Sequence, residues 1–320
     1  MLAPWLSESW RTLATALATQ RLHHGLLFAA PAGLGKRALA EAFVRAALCE
    51  RRDHDGYACG SCRACALLAA GSHPDLVRVG LELRDDGRPR SEIMVDQVRV
   101  LSQRLAMSSQ FGGWQLALVD PADRFNASAA NALLKTLEEP ASSTVIVLVA
   151  DDPARLPATI RSRCQRIELR APSAAQASAW LLAQGVKAPA AEVALLASLG
   201  NPGRALEWSA DGTLAVRQAC SDDLRGLAAG RDSALAVADR WAADHTETRL
   251  WFASVLARDE ARALASGRPG AFGLTARGEI PKLAAWSRHA DRARGLLATS
   301  LRIDLLLLDL LRAWPARRGA

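Results

Sequence analysis

Four of the six cysteines fall within 17 residues: Cys49, Cys59, Cys62 and Cys65, spaced C-x9-C-x2-C-x2-C. The two short spacings let three thiolates converge on one ion. Cys49, at the end of a predicted helix, can close the tetrahedron. His54 and His73 are available as substitutes, though four thiols suffice, and Gly56 and Gly60 supply turns. A closed four-thiolate set leaves no open coordination position, so the expected chemistry is a structural Zn2+ rather than a catalytic one. In a reducing compartment such a cluster reads as metal before disulfide.

A second group could bind phosphate. Residues 30–37 read Ala-Pro-Ala-Gly-Leu-Gly-Lys-Arg. A phosphate loop needs glycines so that backbone N–H groups can wrap the β-phosphate. It also needs a Lys for the β/γ-phosphates and a Ser or Thr hydroxyl for Mg2+. Gly33, Gly35 and Lys36 are present, but the first Gly is Ala30 and the hydroxyl position is Arg37. A guanidinium has donors only and cannot ligate a cation. The acid expected opposite is Asp120, and Pro121 follows it where an ATPase would carry a water-polarising Glu; Asp123 is poorly placed to substitute. After the third predicted strand, Asp151 and Asp152 replace the small polar residue that would sense a γ-phosphate, and carboxylates there are repelled unless paired. The expectation is a degenerate nucleotide site formed by Gly33, Gly35, Lys36 and Asp120, with ATP weakly bound or absent.

The elements that must position these groups alternate. Apolar runs at Gly25–Ala30, Trp114–Val119 and Thr144–Ala150 read as strands, and Leu76–Val79 and Gln165–Leu169 are further strand candidates. Helical spacings fill Lys36–Leu48, Met94–Met107 and Ser128–Leu137. Buried strands separated by helices predict a parallel sheet covered on both faces, with ligand sites at the carboxyl ends of its strands. Ser173–Gly185 and Ala190–Leu199 predict short helices, and a nearly all-helical segment follows Gly212, with one long pattern over Ile280–Leu311. Trp114 and Trp208 are expected in the core, as is Cys220.

Half of the 320 residues are apolar and 23% are charged, values that exclude a disordered tail or a coiled-coil rod. The net charge of +7 is spread evenly: residues 1–170 carry 21 basic and 18 acidic groups, residues 171–320 carry 19 and 15. No basic arm argues for nucleic-acid binding by itself. No apolar run approaches the roughly 18 residues of a membrane span. Glu8 and Arg11 come too early for a secretory signal, so a cytoplasmic location is expected.

Three further runs occur in order: Asn131 to Pro140 (NALLKTLEEP), Thr159 to Cys164 (TIRSRC) and Gly200 to Ala205 (GNPGRA). Together with the loop they resemble the bacterial clamp-loader family of AAA+ proteins, over roughly residues 1–210. The resemblance implies an α/β P-loop (AAA+) domain over 1–166 with a zinc-binding insertion at about 49–75. A small helical lid over 167–210 and an all-α collar for oligomerisation over 211–320 follow. It implies a hetero-pentamer with gamma/tau and delta subunits of DNA polymerase III, acting through the complex on a sliding clamp and primer-template DNA. It also implies that Arg163 of the Ser162-Arg163-Cys164 motif serves in trans as an arginine finger. Arg204 falls at a second sensor position, where it would contact nucleotide or brace two domains. On composition alone Arg155, Arg161, Arg163, Arg166 and Arg170 are a solvated basic face, and Cys164 is a packing thiol. Competing readings are an active AAA+ clamp-loader ATPase, opposed by Arg37 and Pro121, and a zinc-dependent nucleic-acid-binding module, opposed by the lack of a flanking basic run.

Overall fold

The computed structural model describes residues 2–84, 86–297 and 301–316. The chain divides into two compact units, Met1–Trp180 with Asn201–Arg204, and Leu181–Gly200 with Ala205–Ala320.

The first unit contains α1 (Ser7–Ala18), β1 (Gly25–Ala29), α2 (Lys36–Leu48), α3 (Arg63–Ala69), β2 (Leu76–Val79) and α4 (Val95–Leu105). It continues with β3 (Gln115–Val119), α5 (Ala127–Glu138), β4 (Thr144–Ala150), α6 (Ala158–Arg161) and β5 (Gln165–Ile167). The strands form one sheet in the order β2-β3-β4-β1-β5, and every pairing is parallel. β1, β3 and β4 are buried along their whole lengths, as continuous apolar runs in a two-faced parallel sheet should be.

Alternation sends their side chains to two cores. Leu26, Phe28, Leu118, Val147 and Val149 pack against Leu13 and Leu17 of α1 and Leu39 and Phe43 of α2. Leu27, Ala29, Val119, Ile146 and Leu148 pack against Val98 and Leu101 of α4 and Leu133 and Leu137 of α5. Local signals start the helices. The Asn126 side chain accepts from the Ala129 amide at 2.7 Å to cap α5, and Gln97 accepts from the Met94 amide at 2.9 Å at the head of α4.

The register sets the site. Ala29 lies opposite Ala150, and Val119 opposite Leu148, so the carboxyl ends of β3, β4 and β1 stand side by side. The residues that follow them are Asp120, Asp151 and the loop beginning at Ala30.

The later helices are α7 (Ala174–Ala183), α8 (Ala188–Ala197), α9 (Pro202–Ala210), α10 (Thr213–Ala228), α11 (Ala234–Ala243), α12 (Thr246–Ala265), α13 (Glu279–Leu296) and α14 (Ile303–Arg312). The second unit has its own core around Trp241, Phe252, Phe272, Trp286 and Trp314. Its buried indoles find acceptors: Trp286 donates to the Leu310 carbonyl at 2.7 Å, Trp314 to Leu224 at 3.0 Å and Trp241 to Asp223 at 2.8 Å. Cys220 is fully buried there. The single helical pattern expected over Ile280–Leu311 is two helices, with Arg302 extended (ψ 106°) just before α14 and paired with Asp304 in its first turn. Trp114 and Trp208 are half-buried and pack at the edges of their cores rather than inside them. No helix among the described residues is long and apolar enough to cross a membrane.

Candidate functional site

The loop between β1 and α2 has the form its residues predict. Gly33 (φ 88°) and Gly35 (φ 87°) are both left-handed, a conformation costly for any residue with a Cβ. Gly33 has a second reason to be glycine: a Cβ there would lie 2.4 Å from Asn201 Oδ1 and 2.8 Å from the Arg204 amide. The reciprocal holds at Gly203, whose Cβ would lie 2.3 Å from the Gly33 carbonyl oxygen. The Gly203 amide donates to that carbonyl at 3.1 Å, and Asn201 Nδ2 donates to the Ala32 carbonyl at 2.7 Å. The Asn201–Arg204 segment thus belongs to the same compact unit as the loop and clasps it. Asn201 Oδ1 accepts the Arg204 amide at 3.1 Å, so this residue ties the start of α9 to the loop. The sequence shows residues 200–205 only as a motif run; the close approach of two glycines 170 positions apart is visible only in the fold.

Four charges meet at the strand ends. Lys36 is buried and forms an ion pair with Asp151 Oδ1. Arg37 lies across both acids. Its Nε donates to Asp120 at 2.8 and 3.1 Å, while Nη1 and Nη2 donate to the two oxygens of Asp151 at 3.1 and 3.0 Å. This is the forked geometry in which a guanidinium binds carboxylates best. Burial lowers the Lys36 pKa despite its bond to Asp151. Burial alone would raise Asp151, but the hydrogen bonds from Arg37 and Lys36 outweigh it and hold the carboxyl below its usual range. Arg37 is raised chiefly by its bond to Asp151 and stays charged. Two cations therefore neutralise two anions. Of the two carboxylates expected to repel phosphate, Asp151 is paired with both cations, while Asp152 accepts the Ala154 amide at 3.0 Å; Arg37 stands at the position where a phosphate loop carries its cation-binding hydroxyl. The signal in the sequence was the double exchange, hydroxyl to Arg at 37 and neutral to Asp at 151. Its meaning needed the strand order.

Asp123 does not join this cluster. It is buried, and its Oδ2 accepts the Asp152 amide at 3.0 Å, bracing the turn after β4.

Arg163 follows α6. Its Nη2 lies 2.7 Å from Glu138 Oε1, and its Nη1 donates to the Thr159 carbonyl at 3.0 Å. It is half-buried, whereas Arg155, Arg161, Arg166 and Arg170 are exposed. Cys164 packs on the first residue of β1: a Cβ on Gly25 would touch Cys164 Sγ and the Arg163 carbonyl, both at 3.1 Å. Burial pushes the Cys164 thiol up to about 11, so it is a packing group rather than a nucleophile.

The four clustered cysteines converge. Cys49 Sγ lies 3.6 Å from Cys59 Sγ, 3.9 Å from Cys62 Sγ and 3.6 Å from Cys65 Sγ. All four sulfurs lie within 4.8 Å of one another. A tetrahedron with metal–sulfur bonds of about 2.3 Å has edges of about 3.8 Å, so the donor set has the size of a four-thiolate site. Backbone amides point at the sulfurs. Cys59 donates to Cys49 at 3.3 Å, Cys62 to Cys59 at 3.4 Å and Cys65 to Cys62 at 3.4 Å. Such bonds favour thiolates. Amide and hydroxyl bonds from Ser61 and the Cys62 amide lower Cys59 to about 6, while burial and the neighbouring thiols push Cys65 up to about 12. Without a cation the set cannot ionise fully; a bound dication reverses that balance. Neither His54 nor His73 belongs to the set.

A family model described as "DNA polymerase III, delta subunit" matches residues 5–173. The chain is 39% identical to the DNA polymerase III subunit delta' of Pseudomonas aeruginosa over 240 residues, covering 74% of this chain and 70% of that protein. It is 37% identical to the subunit of the same name from Escherichia coli over 219 residues, 66% of this chain and 64% of that one. The DNA polymerase III subunit tau of Bacillus subtilis matches at 31% over 160 residues, half of this chain and 27% of that protein.

Proposed function

We infer the function from one premise: this chain belongs to the delta-prime family of DNA polymerase III clamp-loader subunits. We propose that it is a non-hydrolysing member that serves a neighbour's ATP site and not its own. The observation that carries this reading is the Arg37 guanidinium spanning Asp120 and Asp151. A nucleotide with its Mg2+ would have to displace Arg37 from Asp120 and separate Lys36 from Asp151. The loop keeps its shape while its charges are spent on one another. Gly33, Gly35, Lys36, Asp120 and Arg204 are then the remains of a nucleotide site, and Asn201 and Gly203 hold that loop closed. The reading as an active ATPase meets the same obstacle, together with Pro121.

In this role the chain assembles with gamma/tau and delta subunits into a hetero-pentamer in the cytoplasm. The helices after α9 serve as the collar. Arg163 reaches the γ-phosphate bound by the adjacent subunit, and the complex places the sliding clamp on primed DNA. The physical basis is that a rigid guanidinium stabilises charge developing on a transferring phosphoryl group. Cys49, Cys59, Cys62 and Cys65 would hold one Zn2+, which staples the segment between α2 and α3 and takes no part in chemistry. The thiolates and the amides that donate to them fit that ion.

The test is to unlock the loop. Arg37→Thr combined with Asp151→Asn restores the hydroxyl and frees Asp120 and Lys36. Binding of a fluorescent ATP analogue with Mg2+ should tighten by at least about 10-fold over the wild type, which should bind weakly or not at all. A wild-type chain that already binds magnesium-ATP tightly, with no gain in the variant, would contradict the reading.

A further inference from the structure

The run Asn131 to Pro140 carries two acids before its closing proline, Glu138 and Glu139, and nothing in the function described so far uses either. Glu138 is the last residue of α5. A carboxylate there faces the negative end of the helix dipole, so it is not placed for helix stability. Instead its Oε1 lies 2.7 Å from Arg163 Nη2. Glu139 makes no ion pair among the described residues. On the other side, Arg163 Nη1 donates to the Thr159 carbonyl at 3.0 Å. The guanidinium is thus held through both terminal nitrogens, by a side chain from α5 and a carbonyl from α6. These bonds use two of its five N–H donors. The remaining three lie at Nε and on the free edge of each terminal nitrogen, available to a phosphate. None of the other four arginines of this face has such a carboxylate clamp: Arg170 pairs with Glu8 across two exposed side chains, and Arg155, Arg161 and Arg166 make no ion pair among the described residues.

From this geometry we propose that Glu138 is a positioning residue for Arg163, fixing the plane of its guanidinium before the adjacent subunit's nucleotide arrives. The inference rests on the reading of Arg163 as a finger acting in trans. A long arginine side chain left free samples many rotamers, and a reactant group held in advance lowers the cost of reaching the productive geometry. The pair is half-exposed, so it contributes little to folding. Its loss should be felt in turnover and not in stability.

The experiment is steady-state ATP turnover by the reconstituted complex carrying Glu138→Gln, Arg163→Ala, both together, or Glu139→Gln as a matched neighbour. The expected result for Glu138→Gln is a fall of about 2- to 5-fold in the maximal rate of the one site that Arg163 serves, read in the complex as a smaller drop than Arg163→Ala gives, with half-saturating ATP and thermal stability unchanged. In the Arg163→Ala background, Glu138→Gln should cost nothing further, because residues acting as one unit are non-additive. Wild-type turnover with Glu138→Gln, while Arg163→Ala lowers turnover, would overturn the inference and leave the finger standing. An equal further loss in the double variant would also overturn it, since Glu138 would then act independently of Arg163. A neutral Arg163→Ala would remove the finger itself, and the inference with it.

Discussion

Replacing Arg163 by Ala should leave the chain folded and the complex assembled while ATP turnover by that complex falls. The side chain is half-exposed and its pair with Glu138 is of the kind worth about 0–1 kcal/mol to stability. Removing a trans-acting arginine from phosphoryl transfer costs on the order of 10^3-fold at the site it serves. In the proposed pentamer only one of several sites would lose its arginine, so the bulk rate should fall by less than that. The control is Arg166→Ala, three residues on, exposed, and paired in the sheet with Leu27 through its backbone alone. A solvated basic face predicts that both substitutions are equally mild. Equal and small effects would leave this chain only a scaffold role.

The second large effect concerns the metal. One Zn2+ per chain should be found by elemental analysis, and Cys62→Ser should lose it. Second-sphere changes already cost metal sites 10–100-fold, so removing a ligand should weaken binding by more than about 100-fold. Cys62 has two tasks, since its Sγ also accepts the Cys65 amide at the start of α3. The segment between α2 and α3 should therefore become sensitive to protease while the sheet holds, because it lends the two cores that flank the sheet only Tyr57, stacked on Trp10. Full zinc content and full thermal stability in Cys62→Ser would show the assignment to be wrong.

The sheet was legible because β1, β3 and β4 are almost wholly apolar runs, and β2 because Leu76, Val77 and Val79 surround a single charged Arg78 between turn residues. The cysteine site was legible because spacing alone brings three thiols together. The long pattern over Ile280–Leu311 concealed two helices, since apolar spacing continues across the extended Arg302 and carries no mark of the break. The ionic lock was legible only in its parts. Arg37 and Asp151 each depart from what an ATP site requires, while Asp120 is the acid that such a site keeps. Their departures compensate one another only because β3, β4 and β1 are adjacent, which is a fact of strand order. Glu138 was hidden for the same reason: its partner is 25 positions away on a different element, and an acid at a helix end has no distinctive signature. The clasp of Asn201 and Gly203 on the phosphate loop likewise joins segments that only the fold brings together.

The central claim is that this chain contributes to ATP turnover through another subunit's site. The most direct measurement is magnesium-dependent ATP hydrolysis by the purified chain alone, then on its addition to the gamma/tau and delta subunits. No turnover above background by the chain alone, and a rise in hydrolysis when it joins its partners, is the predicted result. Magnesium-dependent turnover by the isolated chain, abolished by Lys36→Ala, would contradict the account.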